Sequence, residues 1–257
     1  MTSVRCTPDR ELRQSAEVLA DCLRQLSVAR WPTHLYSIAR RLQVTSIDKG
    51  PLLEDGKTWW DGDEIRIRLR ADRSIQRQRF TLAHELAHVA LSHRSGAPFF
   101  RAPWHQSQEE RVCDLVAAAL LMPEDVVRDG FLTGPVSLRA LKNFSDEGRV
   151  SMAACALRVN QLTGRHLCLV RATADEDGWR VDHVTGLTKS AAANLSILSA
   201  PALLEGSGSG AQKMLLSVQI GKDIVQVRGE GQCRYGHLLV LFQGFPPSTV
   251  QSEPSYP

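Results

Sequence analysis

Residues 82–91 of this chain (LAHELAHVAL) are apolar almost all the way round a helix, yet they carry two histidines and a glutamate. Leu82, Ala83, Leu86, Ala87, Val89, Ala90 and Leu91 leave no solvent face, the pattern of a buried helix. Burying polar groups without partners costs on the order of 2–7 kcal/mol each. The fold must therefore supply partners for His84, Glu85 and His88. The two histidines are four residues apart and project from one face, one turn above the other. That geometry lets two imidazoles bind one zinc ion, with Glu85 placed to act on a water held by the metal.

A tetrahedral catalytic zinc takes three protein ligands and leaves one position open. His93 does not meet the geometry of the long H-E-x-x-H-x-x-G-x-x-H form: Leu91 stands at the glycine place and His93 comes one residue early. It reads instead as a cation at the helix C-terminus or a loop contact. A second helix, QEERVCDLVAAALLMP, offers Glu110 and Asp114, again four apart on one face. Taken alone, Glu110 reads as an ordinary first-turn glutamate stabilising a helix N-terminus. Beside the upstream pair it becomes the candidate third ligand, with Asp114 accepting a hydrogen bond from a ligand histidine's far nitrogen and so fixing its tautomer. Glu109 points about 100° away, so the two neighbours cannot both be ligands.

The chain of 257 residues, 43% hydrophobic and 23% charged, has enough apolar content for a buried core and the length for a main domain plus a small one. Apolar steps of three and four mark an amphipathic helix over 10–29, and a shorter one starts from Pro32. VTSID and the strictly alternating EIRIRL (64–69), after the turn signal DGD, read as strands, the latter half-exposed at an edge. Two short helices over 136–163 form a helix-turn-helix-like unit. Arg149 and Arg158 could reach phosphates there, but few side chains could read bases, so packing is the favoured role over DNA contact. From residue 164 the texture turns to short β-type runs. The expected fold class is α+β, a mainly helical zincin-like domain with a small sheet over 1–163 and a β-rich domain over 164–248. A flexible loop is expected at 205–210 and a disordered tail at 249–257.

The net charge of +3 is interspersed and does not by itself argue for nucleic acid or membrane. No apolar run reaches the 18 residues of a membrane span, and the start lacks a signal peptide's apolar core. The six cysteines are scattered without C-x-x-C spacing and read as reduced thiols. The expected location is cytoplasmic. His166, His183 and His237 are isolated and read as structural or surface residues.

The two motifs together, RFTLAHELAHVALSH and then EERVCDLVAAALLMP, resemble the ImmA/IrrE family of zinc metallopeptidases over about residues 30–125. The resemblance implies a gluzincin-like site with ligands at His84, His88 and Glu110 and the general base at Glu85. Two departures leave the ligands untouched: Val112 stands where many relatives carry a second Glu, and Val116 where a small residue or Phe is usual. The β-rich half weakly resembles the GAF-like sensor domain of the IrrE branch. The family's job implies a protein substrate, a helix-turn-helix repressor of the Cro/CI type, whose cutting switches on stress-response or mobile-element genes.

The mechanism expected is metal-assisted peptide hydrolysis with Glu85 as proton acceptor. Strand 64–69, as the cleft edge, would hold the substrate extended. His105 is a candidate oxyanion donor. Manganese or iron could replace zinc in a His₂Glu site. The rival readings are a non-catalytic regulator in which zinc is structural, and an antitoxin-like partner-binding protein.

Overall fold

The computed structural model describes residues 8–92, 106–176, 178–199, 211–220, 222–234 and 237–243. His93, His105, the 205–210 loop and the 249–257 tail lie outside the described residues. The chain divides into two compact units, Met1–Val126 with Asp146–Ser151, and Val127–Ser145 with Met152–Pro257. The change from helices to strands falls after Thr163.

The first unit contains α1 (Pro8–Arg24), α2 (Leu35–Arg41), β1 (Val44–Gly50), β2 (Gly56–Asp61), β3 (Glu64–Arg70), α3 (Ile75–Leu91) and α4 (Gln106–Leu121). The helix expected over 10–29 ends at Arg24, and the one expected from Pro32 begins at Leu35, where the His34 ring accepts from the Ser37 N–H. Ser74 caps the start of α3: its hydroxyl accepts from the Arg77 N–H and satisfies one open donor of the first turn. Nine of its side chains are buried, Glu85 among them. α4 is buried along 115–122 and packs against α1 and α3. At its end, the Trp31 indole N–H donates to the Leu121 carbonyl (3.0 Å) and the Thr33 hydroxyl to that of Leu120 (2.7 Å). These bonds satisfy carbonyls that the helix itself cannot, just before Pro123 forbids its continuation.

The sheet corrects one expectation. Its order is β1-β3-β2, so β3 is the central strand, parallel to β1 and antiparallel to β2. The strict alternation of EIRIRL reports burial of one sheet face: Ile65, Ile67 and Leu69 are buried, while Arg66, Arg68 and Arg70 lie on the half-exposed face. Such alternation says nothing about position within the sheet. The edge next to the cleft is β2, GKTWWD, which has no apolar alternation to announce it. The DGD signal is the two-residue turn of the β2–β3 hairpin, with Gly62 at φ +62°.

The second unit takes up the end of α5 (Glu124–Phe131), most of α6 (Leu138–Gly148), α7 (Met152–Thr163), β4 (Leu167–Asp175), β5 (Gly178–Thr185), α8 (Lys189–Ala193), β6 (Leu195–Ser199), β7 (Gln212–Ile220), β8 (Asp223–Arg234) and β9 (His237–Gln243). Its six strands form one antiparallel, barrel-like sheet of order β5-β4-β9-β8-β7-β6, whose end strands β5 and β6 approach each other. The run LCLV in β4 is buried on both faces. Cys168 and Val170 join an apolar cluster with Val218, Val227, Val240 and Phe242, and β4 also packs against α7. The Asn160 side chain of α7 donates to the Leu167 carbonyl and accepts from its N–H, both at 2.8 Å.

Arg158, weighed above as a phosphate contact, is only 1% exposed and donates to Gln161. A buried guanidinium cannot meet a DNA backbone, so α7 is a packing helix at that position. The five described cysteines are free thiols; burial pushes those of Cys113, Cys155 and Cys168 well above the usual thiol range. Among the described residues, no helix is long and apolar enough to cross a membrane.

Candidate metal centre

α3 and α4 pack side by side, and α3 also lies against β2 and β3. His84 and His88 project from α3 toward α4, their rings 4.8 Å apart and inclined at 68°. Their Nε2 atoms are 3.1 Å apart. Glu110 of α4 straddles the pair, one oxygen 3.3 Å from His84 Nε2 and the other 3.4 Å from His88 Nε2. Four bonds of about 2.0–2.1 Å in a tetrahedron put neighbouring donor atoms roughly 3.3 Å apart. The spacing of these donors fits that polyhedron, and two imidazoles with one carboxylate are the donor types zinc takes. Among the described residues, His84, His88 and Glu110 form the group able to hold a metal ion.

The far side of each ring is also held. His84 Nδ1 is 2.9 Å from Asp114 Oδ1, and His88 Nδ1 is 3.2 Å from Glu109 Oε1. A carboxylate at Nδ1 keeps the proton there and leaves the Nε2 lone pair bare, facing the shared space. Glu109 is the residue that sequence reasoning undervalued. The 100° between neighbouring helical residues does keep it from Nε2. With Glu110 on the Nε2 side of the His88 ring, the same angle carries Glu109 to the Nδ1 side.

Burial alone would lower the His84 pKa. The hydrogen bond to Asp114, with the charges of Asp114, Glu85 and Glu110, outweighs it and holds the imidazole above its ordinary value. The same carboxylates make the space between the rings favourable for a cation.

Glu85 is 7% exposed and turns toward β2, where the Thr58 hydroxyl donates to its Oε2 at 2.6 Å. The three motif residues line a cleft of about 570 Å³, closed on one side by Gly56, Thr58 and Trp60 of the edge strand. Asp55, just before β2, accepts from Arg73 and Arg77 and ties the strand's start to the first turn of α3. Neither Thr58 nor Asp55 belongs to a motif, and no spacing rule could have brought them to the cleft. His166, His183 and His237 lie in the second unit; His183 meets Thr185 and His237 meets Thr173.

The Peptidase_M78 family model, described as the IrrE N-terminal-like domain, matches residues 29–160. A solved structure of a Mycobacterium tuberculosis transcriptional regulator is similar at 12% identity, with a TM-score of 0.49, over 91% of this chain and 76% of that one. No curated protein matches. The matched region contains the whole of the constellation described above and about half of the chain, and on that footing the chain belongs to the Peptidase_M78 family.

Proposed function

We propose that the chain is a zinc-dependent endopeptidase that cuts a regulatory protein at one site. The observation that carries this reading is Glu85, a buried carboxylate set beside two imidazoles and a carboxylate that fit a metal, and facing a cleft rather than packed against a closed site. A purely structural metal site has no use for such a group and tends to close its fourth position.

In this reading His84, His88 and Glu110 hold the metal, while Asp114 and Glu109 fix the two rings. A zinc ion so held supplies Lewis acidity, polarising a peptide carbonyl and acidifying water; manganese or iron also suits the donor set. Glu85 accepts the proton from the attacking water and returns it to the leaving amine. The substrate strand pairs with the edge that β2 leaves unpaired among the described residues, the role first expected of strand 64–69, so that an extended segment crosses above Glu85.

The substrate proposed is a Cro/CI-type helix-turn-helix repressor, whose cutting derepresses stress-response or mobile-element genes. That part rests on the family resemblance. It goes with a division into a gluzincin-like peptidase domain over 1–163 and a GAF-like sensor domain over 164–248, and with a cytoplasmic location.

The test is to incubate the zinc-loaded chain with the repressor from its own gene neighbourhood, next to a Glu85→Gln variant. A discrete cut that needs both metal and Glu85 is the expected result. Bound metal with no cut would favour a non-catalytic regulator or a partner-binding protein. A chain that binds no metal would sink the reading.

A further inference from the structure

The edge strand does more than border the cleft. Gly56, Thr58 and Trp60 alternate with Lys57 and Trp59, so the three share one face of β2, and all three line the cleft with Glu85. Two of them meet the Glu85 carboxyl group. Thr58 Oγ1 donates to Oε2 at 2.6 Å, a short charge-assisted bond. Gly56 presents bare backbone to the other oxygen: a Cβ built there would lie 3.0 Å from Oε1 and 3.3 Å from Glu85 Cγ, and would overlap Thr81 Cγ2. Glu85 is thus held between a hydroxyl on one oxygen and a glycine on the other.

We infer that Thr58 is a positioning residue for Glu85, fixing its carboxylate in one rotamer with Oε2 committed to the strand and Oε1 left for the incoming ligand. Gly56 is the relief in β2 that lets the strand come this close. The inference rests on the peptidase reading for its consequence, since a base that wanders by an ångström is a poor one. Three rotatable bonds separate the Glu85 backbone from its carboxylate oxygens, and helix packing alone leaves the last torsion broad. The Thr58 bond is what narrows it.

The test uses the full chain loaded with Co2+, whose visible spectrum reports on the donor set, and acetohydroxamic acid as probe. The probe binds a metal through two oxygens and gives its hydroxyl hydrogen to a carboxylate beside the metal, so its affinity reads where Glu85 is without any knowledge of the substrate. Thr58→Val keeps the shape and removes the donor. Thr58→Ser keeps the donor. Thr58→Ala stands in if the valine variant does not fold.

The expected result is full metal stoichiometry in all variants. Hydroxamate affinity falls about 10- to 100-fold in Thr58→Val, and Thr58→Ser stays within about threefold of wild type. On a cleavable substrate, kcat falls by a similar factor with KM unchanged. Wild-type hydroxamate affinity in Thr58→Val and Thr58→Ala would overturn the inference while leaving the peptidase reading standing. The expected hydroxamate series with no protein cut would do the reverse. A wild-type chain that takes up no Co2+ would overturn both.

Discussion

The two compact units bury polar groups to different ends. In the second, the cluster enclosed by the sheet is wholly apolar, and the unit's buried polar residues, Ser145, Arg158 and Thr185 among them, lie outside that cluster. In the first, a helix with nine buried side chains carries buried Gln78 and Glu85. Gln78 serves the backbone, donating to the carbonyls of Arg70, Ala71 and Arg73 at 3.0–3.2 Å and so closing the turn between β3 and α3. Among the described residues Glu85 serves no backbone group; it accepts a hydroxyl hydrogen from Thr58, across the cleft. A buried polar side chain that satisfies main-chain atoms is architecture. One that is paid for only by other side chains around an open space is the place to look for chemistry.

The sharpest way to break this contrast is at Glu85. Glu85→Gln keeps the shape and the Thr58 contact but cannot accept a proton. Cleavage should fall by about 10²- to 10⁴-fold, the usual share of a general base, while zinc content measured by metal analysis stays at the wild-type value. A fully active glutamine variant would return Glu85 to the architectural class. The converse lies in the second unit. Phe242 is completely buried in the apolar cluster, so Phe242→Ala should cost about 3–5 kcal/mol in denaturant melts, with zinc affinity of the folded protein unchanged. A variant that melts as wild type would show that the cluster is not the core of that unit.

A finer comparison sets the two histidines side by side. Asp114 lies 2.9 Å from His84 and Glu109 3.2 Å from His88. Asp114→Asn and Glu109→Gln should each weaken zinc by about 10- to 100-fold, the aspartate variant by more, as competition with a chromophoric chelator would report. An unchanged affinity in Glu109→Gln would leave that residue a mere neighbour of the His88 ring.

What could be read beforehand follows the reach of each signal along the chain. The helices α3 and α4 announce themselves through period and apolarity, and the i, i+4 pairs within them put His84 with His88 and Glu110 with Asp114 on shared faces. Such local geometry needs no tertiary knowledge. β2 was invisible because GKTWWD alternates in space but not in hydropathy; both its tryptophans are only partly buried, one on each face. Thr58, 27 residues from Glu85, and Gly56 take their meaning from a strand that packs on a helix after both have formed. The place of β3 at the centre of its sheet was hidden for a related reason: alternation reveals which face is covered, whereas neighbours on either side are a property of the whole sheet. Arg158 shows the same limit from the other side, since an arginine in a short helix looks like a surface cation until the packing around it is known.

Asp55 gives the smallest expected effect and tests whether everything at the cleft is chemistry. It lines the cleft, yet its partners are Arg73 at 2.6 Å and Arg77 at 2.5 Å, and its backbone carbonyl accepts from the Arg70 N–H. Burial by itself would raise its pKa; the hydrogen bonds from Arg73 and Arg77 and their charges together bring it below the ordinary carboxylate value of 3.8. A carboxyl group with a depressed folded-state pKa contributes stability that is present above the unfolded value and lost as pH falls through the folded one. The pairs are partly open to solvent, so the contribution is about 1 kcal/mol or less. Asp55→Asn should therefore melt at slightly lower urea than wild type at pH 7, and the gap should close as the pH falls through the depressed folded-state value. Zinc affinity should not move. A gap that stays constant with pH would mean that the residue acts through packing rather than charge, and a loss of zinc would move Asp55 from the strand's anchor to the metal site itself.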